Sequence, residues 1–529
     1  MRKNTFISTG CALLFLSAEI AAAPTALQIG VFDSLYKARE TETDLQIPAH
    51  GISLDAARNE SESFQILLRG KEKEKVSVFI SHLTNANGKK APISSRIHHQ
   101  VDLFLETTTD FANEAGWYPD ALADRNSATL QKDVTERFWI TVKVPTEATP
   151  GKYTGFVIVK TTSAGEKKIP LTLHVRKFAL PKIPHFRADV GIWEQFVEPA
   201  YGIKGRTNYF RFLRKHWNFL ADYRLSPRQG LPLKYGKDAQ GNPTLVFPEE
   251  FRNVVREAEE TGFAYFTLPG AEYQKKKPEF YQRLNRFVNS SPYLKKYGIV
   301  YYADEPWGEK QRLKIAENLK IAKQHAPDVK FMVTYYPNPA MKGLIDVWNL
   351  PMANLTPEVK EEMQKAQKRG EKTFAYHNGV LFSVDFQPAK LRFFYWRHFD
   401  YGYSGTVYWC GTHWSFRKKG DPLLDPENFT RNDIRKYTTN GILFYPGAKG
   451  LMPSLRLETI RDASEDYDYL VLASQTVKSA AGKKKLEKLH TEMRKLFPKN
   501  PMKINFRNSP EKLRSMRREL ADLIEAETK

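Results

Sequence analysis

From Phe186 onward the chain keeps one rhythm for about 220 residues: a short apolar run, an amphipathic helical stretch, then another apolar run. The apolar runs fall near Ala188–Ile192, Gln229–Leu233, Ala264–Leu268, Ile299–Tyr302, Phe331–Thr334, Ile345–Trp348, Thr373–Tyr376 and Thr406–Trp409. Helical periodicity occupies Tyr209–Tyr223, Phe251–Thr261, Glu309–His325, Pro357–Lys368 and Ala389–Tyr401. Parallel strands need crossovers of this length. Eight strands alternating with helices therefore predict a (β/α)8 barrel. A doubly wound open sheet is the alternative, but no Gly-rich phosphate loop supports it.

Upstream the period is two. Val76, Val78 and Ile80 alternate with polar positions, as do Val101, Leu103 and Leu105, and Phe138, Ile140, Val142 and Val144. Turn signals such as Asn87-Gly88 and Pro150-Gly151 separate these runs. They predict an antiparallel β-sandwich over 27–180. The barrel is expected over 186–477. A basic helical tail, 478–529, carries two apolar stripes: Leu486, Leu489, Met493 and Leu496, then Leu513, Met516, Leu520 and Leu523. Its simplest role is to pack on the barrel with solvated charged faces.

Residues 1–22 read as a secretory signal: Arg2 and Lys3, an apolar stretch from Ala12 to Ala18, then Ala21, Ala22 and Ala23. Pro24 blocks cleavage directly before it, which puts the cut near Ala22. Gly10-Cys11 only faintly resembles a lipoprotein site, a minor alternative. No later stretch is long and apolar enough to span a membrane. The expectation is an exported protein, periplasmic or secreted. Of two cysteines, Cys11 leaves with the signal, so the mature chain has no internal disulfide and must stand on its cores. Hydrophobic residues at 41% and aromatics at 13% are enough for that, and they exclude a disordered chain.

The fourth apolar run continues as Tyr301-Tyr302-Ala303-Asp304-Glu305-Pro306-Trp307. Barrel enzymes build their sites at the C-terminal ends of strands. Two carboxylates there are costly unless they are paired or used. Neighbouring side chains on a regular strand point to opposite faces, so both can serve one pocket only if the backbone turns. A capped strand end with a salt bridge is the alternative. Ordinary glycosidases place their two carboxylates on opposite sides of the scissile bond. Sequence neighbours suit substrate-assisted hydrolysis instead, with the sugar's 2-acetamido oxygen as nucleophile. Glu305 would then protonate the leaving oxygen and later activate water, and Asp304 would orient the acetamido N–H and stabilise the oxazolinium charge.

Four stretches carry a resemblance. They are Ile52–Arg69, Gly116-Trp117-Tyr118-Pro119-Asp120, Tyr302–Trp307 (YADEPW) and Gly441–Tyr469. They resemble the DUF4091 and glycoside hydrolase family 123 group across nearly the whole mature chain. That resemblance implies an exo-acting β-N-acetylgalactosaminidase with Asp304 and Glu305 in the roles just given. No cofactor is expected and no metal, since there is no His-Glu-x-x-His and no Cys pair. The expected partner is a glycan or glycoconjugate. Alternatives are the same fold acting on a sugar without an acetamido group, or a non-catalytic glycan-binding surface protein.

Further substrate-binding candidates lie at strand ends: Tyr335 and Tyr336 after the fifth, His377 and Asn378 after the seventh, Trp409 and Trp414 at and beyond the eighth. An indole face can stack on a pyranose, and phenol, imidazole or amide groups can bind its hydroxyls. Packing is the competing role for each aromatic. Arg456, Glu458, Arg461 and Asp462 share helix faces and are expected to form an ion network docking that helix to the barrel. Trp117 and Asp120 are expected at the interdomain contact.

The formal net charge is +21. Such a charge raises nucleic acid as a partner, but export argues against it. Lys478–Lys529 holds 15 Lys and Arg against 7 Asp and Glu. Much of the excess therefore belongs to the tail. An acidic glycan substrate remains a reading of the rest.

Overall fold

The computed structural model describes residues 27–105, 108, 113–163, 165–228, 234–237, 243–246, 249–270, 278–351, 356–377, 383–414, 440–498 and 509–528. The leader expected at 1–22 lies outside them.

Two sheets face each other at the N-terminal end. One runs in the order Leu27–Asp33, Glu60–Gly70, Thr135–Val144, Ser94–Leu105, Gly116–Ala123. The other runs Ile52–Arg58, Gly165–Ala179, Gly151–Thr161, Glu74–Ile80, Ser127–Leu130. The alternating apolar positions meet between them: Ile66, Val78, Ile140, Val142, Val157, Leu171 and Leu173 form one core. The sandwich is antiparallel apart from one parallel pair, Ile52–Arg58 with Gly165–Ala179.

Eight parallel strands follow, neighbouring in the order Ser226–Pro227, Arg187–Val190, Gly405–Tyr408, Lys372–His377, Val347–Pro351, Lys330–Thr334, Gly298–Asp304, Phe266–Thr267. Chain order and spatial order agree around the ring, as in a (β/α)8 barrel. The ring is nearly closed. Among the described residues no backbone ladder joins Ser226–Pro227 to Phe266–Thr267, but the Tyr265 amide donates to Ser226 Oγ across the gap, at 3.2 Å. Ile299, Met332, Val347, Phe374 and Val407 fill the interior. Val300, Phe331, Val333 and Trp348 pack outward in the large core shared with the helices. The second strand lies upstream of the expected Gln229–Leu233, a segment outside the described residues.

The helix Leu455–Thr476 is buried along almost its whole length between barrel and sandwich. Arg456 holds Asp120 at 2.7 Å. Glu458 accepts from Tyr223 (2.8 Å), Thr141 (3.0 Å) and Arg461 (2.5 Å). Arg392 of helix Pro388–Asp400 pairs with Asp466. The network thus docks the helix to the sandwich as well as to the barrel, with Asp120 at the interdomain contact. Trp117 stays half-buried beside Phe104.

The tail also differs from expectation. The helix Pro510–Glu527 spans both units. Arg514 pairs with Asp33 and Glu62, and Arg517 with Glu60, Glu62 and Asp466. The stripe that buries Leu513, Met516 and Leu520 takes Arg517 inside with it and leaves Arg514 half-buried at its edge, each against carboxylates. Among the described residues no helix is long and apolar enough to cross a membrane.

Candidate active site

The strand Gly298–Asp304 begins regularly: Ile299 and Tyr301 point into the barrel, Val300 and Tyr302 into the helix layer. Continued alternation would aim Ala303 inward and Asp304 outward. The register against Lys330–Thr334 breaks instead. Tyr301 faces Met332 but Ala303 faces Val333, so Tyr302 is an extra, bulged residue. Ala303 then packs with the outer core and Asp304 returns to the inward side, opposite Thr334. The Tyr301 hydroxyl donates to Asp304 Oδ1 at 2.7 Å.

The turn that Glu305 needs is present. Its φ is +44°, in the left-handed region, and its amide still donates to the Thr334 carbonyl at 3.1 Å. Pro306 is buried, and the Trp307 amide closes the turn on the Glu305 carbonyl at 2.8 Å. The Trp307 indole N–H reaches Glu305 Oε2 at 3.4 Å. Two sequence neighbours therefore open on one end of the barrel, Asp304 exposed and Glu305 half-buried.

Below Asp304 lies a polar string inside the barrel. Tyr301 also bonds Thr334 Oγ1, to which Asn349 donates at 3.0 Å. The Arg228 guanidinium lies over the rings of Tyr301 (5.3 Å) and Trp193 (5.4 Å). It donates to the carbonyls of Tyr408 and Trp409 and sits 3.6 Å from the fully buried Asp189. Burial pushes the Asp189 carboxyl up to about 7, against the pull of Arg228. Burial, and next the Asp304 carboxylate, push the Tyr301 hydroxyl well above its ordinary range, so it donates rather than ionises.

The other expected residues divide. Tyr335 stands beside Trp307, ring centroids 5.3 Å apart, and its hydroxyl accepts from Arg312 at 3.1 Å. Trp409 is half-buried at the mouth among the interior side chains. Its indole N–H donates to Asn440 and its carbonyl accepts from Arg228 and Trp193. Tyr336 is 9% exposed and donates its hydroxyl to the Pro351 carbonyl, so it packs rather than presents. Trp414 is a correction too: it is 2% exposed, in the outer core, and its N–H is spent on the Phe444 carbonyl. His377 ends its strand with its side chain outside the described residues, and Asn378 lies outside them altogether. Cys410 is buried, and burial pushes its thiol up to about 12, unlike a nucleophile's.

Asp189, Arg228, Tyr301, Trp193 and Trp307 were not singled out from sequence. A lone carboxylate in the apolar run Ala188–Ile192 was a signal for Asp189. Tyr301 was hidden by strand parity, since three residues on a regular strand would separate it from Asp304.

The glycoside hydrolase 123 N-terminal domain model matches residues 29–161, and the glycoside hydrolase 123 catalytic domain model matches residues 192–473. Among solved structures, a family 123 glycoside hydrolase from Clostridium perfringens is similar at TM-score 0.66 and 14% identity, covering 95% of this chain and 97% of that one. A family 39 glycoside hydrolase from Bacteroides cellulosilyticus is a distant match, at TM-score 0.33 and 11% identity over 74% and 80% of the two chains. Comparison with curated proteins returns no match.

Proposed function

This chain belongs to glycoside hydrolase family 123 and is a glycosidase, and from that premise we propose that it removes a terminal β-linked N-acetylhexosamine, N-acetylgalactosamine preferred, with retention. The nucleophile is the substrate's own acetamido oxygen, which closes an oxazoline. Glu305 first protonates the leaving oxygen and then, as carboxylate, takes a proton from the water that reopens the ring. Asp304 accepts from the acetamido N–H and stabilises the oxazolinium charge. One observation carries the reading: a bulge and a left-handed residue turn two adjacent carboxylates toward the same mouth, with Asp304 tethered by Tyr301. Such a pair flanks one face of a sugar better than two. We further propose that residues 1–22 direct export to the periplasm or medium, and that the substrate is a glycan or glycoconjugate, acidic if its hydrolysis falls steeply with added salt.

Hydrolysis of aryl β-N-acetylgalactosaminide, β-N-acetylglucosaminide and β-galactoside tests the chemistry. Glu305→Gln is expected to lower kcat/KM by about 10²–10⁴-fold, and Asp304→Asn by about 10²–10³-fold. An N-trifluoroacetyl substrate, whose carbonyl is a poorer nucleophile, should react more slowly. Rates indifferent to the trifluoroacetyl group would sink the acetamido mechanism. Glycan binding without hydrolysis of any glycoside would assign the chain a binding role.

A further inference from the structure

We infer that Trp307 is the platform of the leaving-group subsite, the surface on which the sugar ring that departs from the cleaved bond lies. The inference rests on Glu305 being the general acid. Trp307 is 50% exposed, yet it is not loose. Its ring stands T-shaped to Tyr335, centroids 5.3 Å apart at 78°, and to Tyr336, 6.4 Å apart at 63°. Its N–H is on Glu305, its amide is on the Glu305 carbonyl, and its own carbonyl accepts from Arg312. Arg312 in turn lies over the Tyr335 ring at 5.0 Å. An indole held by these contacts with half of its surface exposed offers rigid apolar area at little further ordering cost, the kind of surface onto which the C–H face of a pyranose stacks.

Its position names the ring. A general acid acts within hydrogen-bond reach of the oxygen it protonates. The indole touches that acid, so it lies beside the scissile oxygen. Asp304 sits on the axial side of Glu305, tied to Tyr301 in the barrel interior. Trp307 sits on the other side, at the rim, against Tyr335 and Tyr336, which belong with the outer core. The acetamido sugar that engages Asp304 occupies the axial side, and the departing group is left with Trp307. Arg312 donates to the carbonyls of Pro306 and Trp307 and to Tyr335.

Two glycosides with the same N-acetylgalactosaminyl unit separate the roles: a disaccharide whose aglycone is galactose, and the methyl glycoside, whose aglycone is too small to cover the indole. Trp307→Ala is expected to lower kcat/KM for the disaccharide at least tenfold more than for the methyl glycoside. Trp307→Phe, which keeps a ring but loses the N–H, should hold that ratio within about threefold of wild type. In a Glu305→Gln background, Trp307→Ala should weaken disaccharide binding about tenfold and that of free N-acetylgalactosamine less than twofold. Equal losses on both glycosides, or no loss, overturn the inference while leaving the glycosidase intact. A wild type that cleaves neither overturns the acid assignment and this inference with it.

Discussion

Four described non-glycine residues have positive φ: Asn59, Asp133, Arg224 and Glu305. Asn and Asp tolerate that region; a long side chain there costs roughly 1–2 kcal/mol. For Glu305 the cost falls where the side chain must be aimed, the usual location of stored strain. Glu305→Gly should therefore raise unfolding free energy by about 1 kcal/mol while abolishing turnover, and Glu305→Gln should show no such gain. Denaturant melts of both variants check this, and a destabilised glycine variant would mean the turn is unstrained. The carboxylate pair was legible because charge directly after an apolar strand is rare. The devices that aim it were not, since a bulge and a left-handed residue leave no compositional mark. Trp414 and Tyr336 were misplaced for a related reason: an aromatic after a strand reads the same whether it faces a ligand or a core.

At the scale of elements, the apolar runs located seven of eight strands, and the second escaped because Ser226-Pro227 has no apolar run to show. The helix Leu455–Thr476 was legible as a helix but not in its surroundings. Its polar residues look like a solvated face, yet they are buried on partners distant in sequence. Glu458 shows the consequence for acid stability. Burial alone would push its carboxyl up, but Arg461, Arg96 and His98 and the Tyr223 hydroxyl outweigh it and hold it at about 2. Its folded pKa lies below the unfolded value near 4.5, so its contribution is complete above about pH 4.5 and is lost as pH falls toward 2. The amount is on the order of 3 kcal/mol. Thermal melts from pH 5 to 3 should fall less steeply for Glu458→Gln than for wild type, from a lower start at pH 7. Parallel slopes would remove Glu458 from the acid limb.

For the whole molecule, the two units are not beads on a linker. Ala121, Leu103 and Tyr118 of the sandwich belong to the same core as the barrel helices, and the last helix closes over both. The net charge misled here. Arg514 and Arg517, counted with a solvated tail, neutralise carboxylates of the sandwich. Removing 509–529 strips Glu60 and Glu62 of the guanidinium groups paired with them, and breaking buried pairs of this kind costs about 3–5 kcal/mol. Calorimetry should show the truncated chain melting at clearly lower temperature, with the sandwich affected and not only the barrel. An unchanged Tm would mean the tail is a dispensable appendage.

The bulge at Tyr302 makes the active centre depend on strand pairing as well as on chemistry. In the strand Gly298–Asp304 most exchanges of one apolar residue for another keep the carboxylates where they are. Pairing Tyr302 into the ladder, with no residue lost, would restore strict alternation and swing Asp304 into the helix layer, away from its tyrosine, whereas losing the one extra residue would leave the two on the same inward face. Selection on this strand therefore falls on parity more heavily than on apolar identity, and lineages that keep the activity should carry either the bulge or a strand shorter by that one residue, with the tyrosine and the carboxylate on one face.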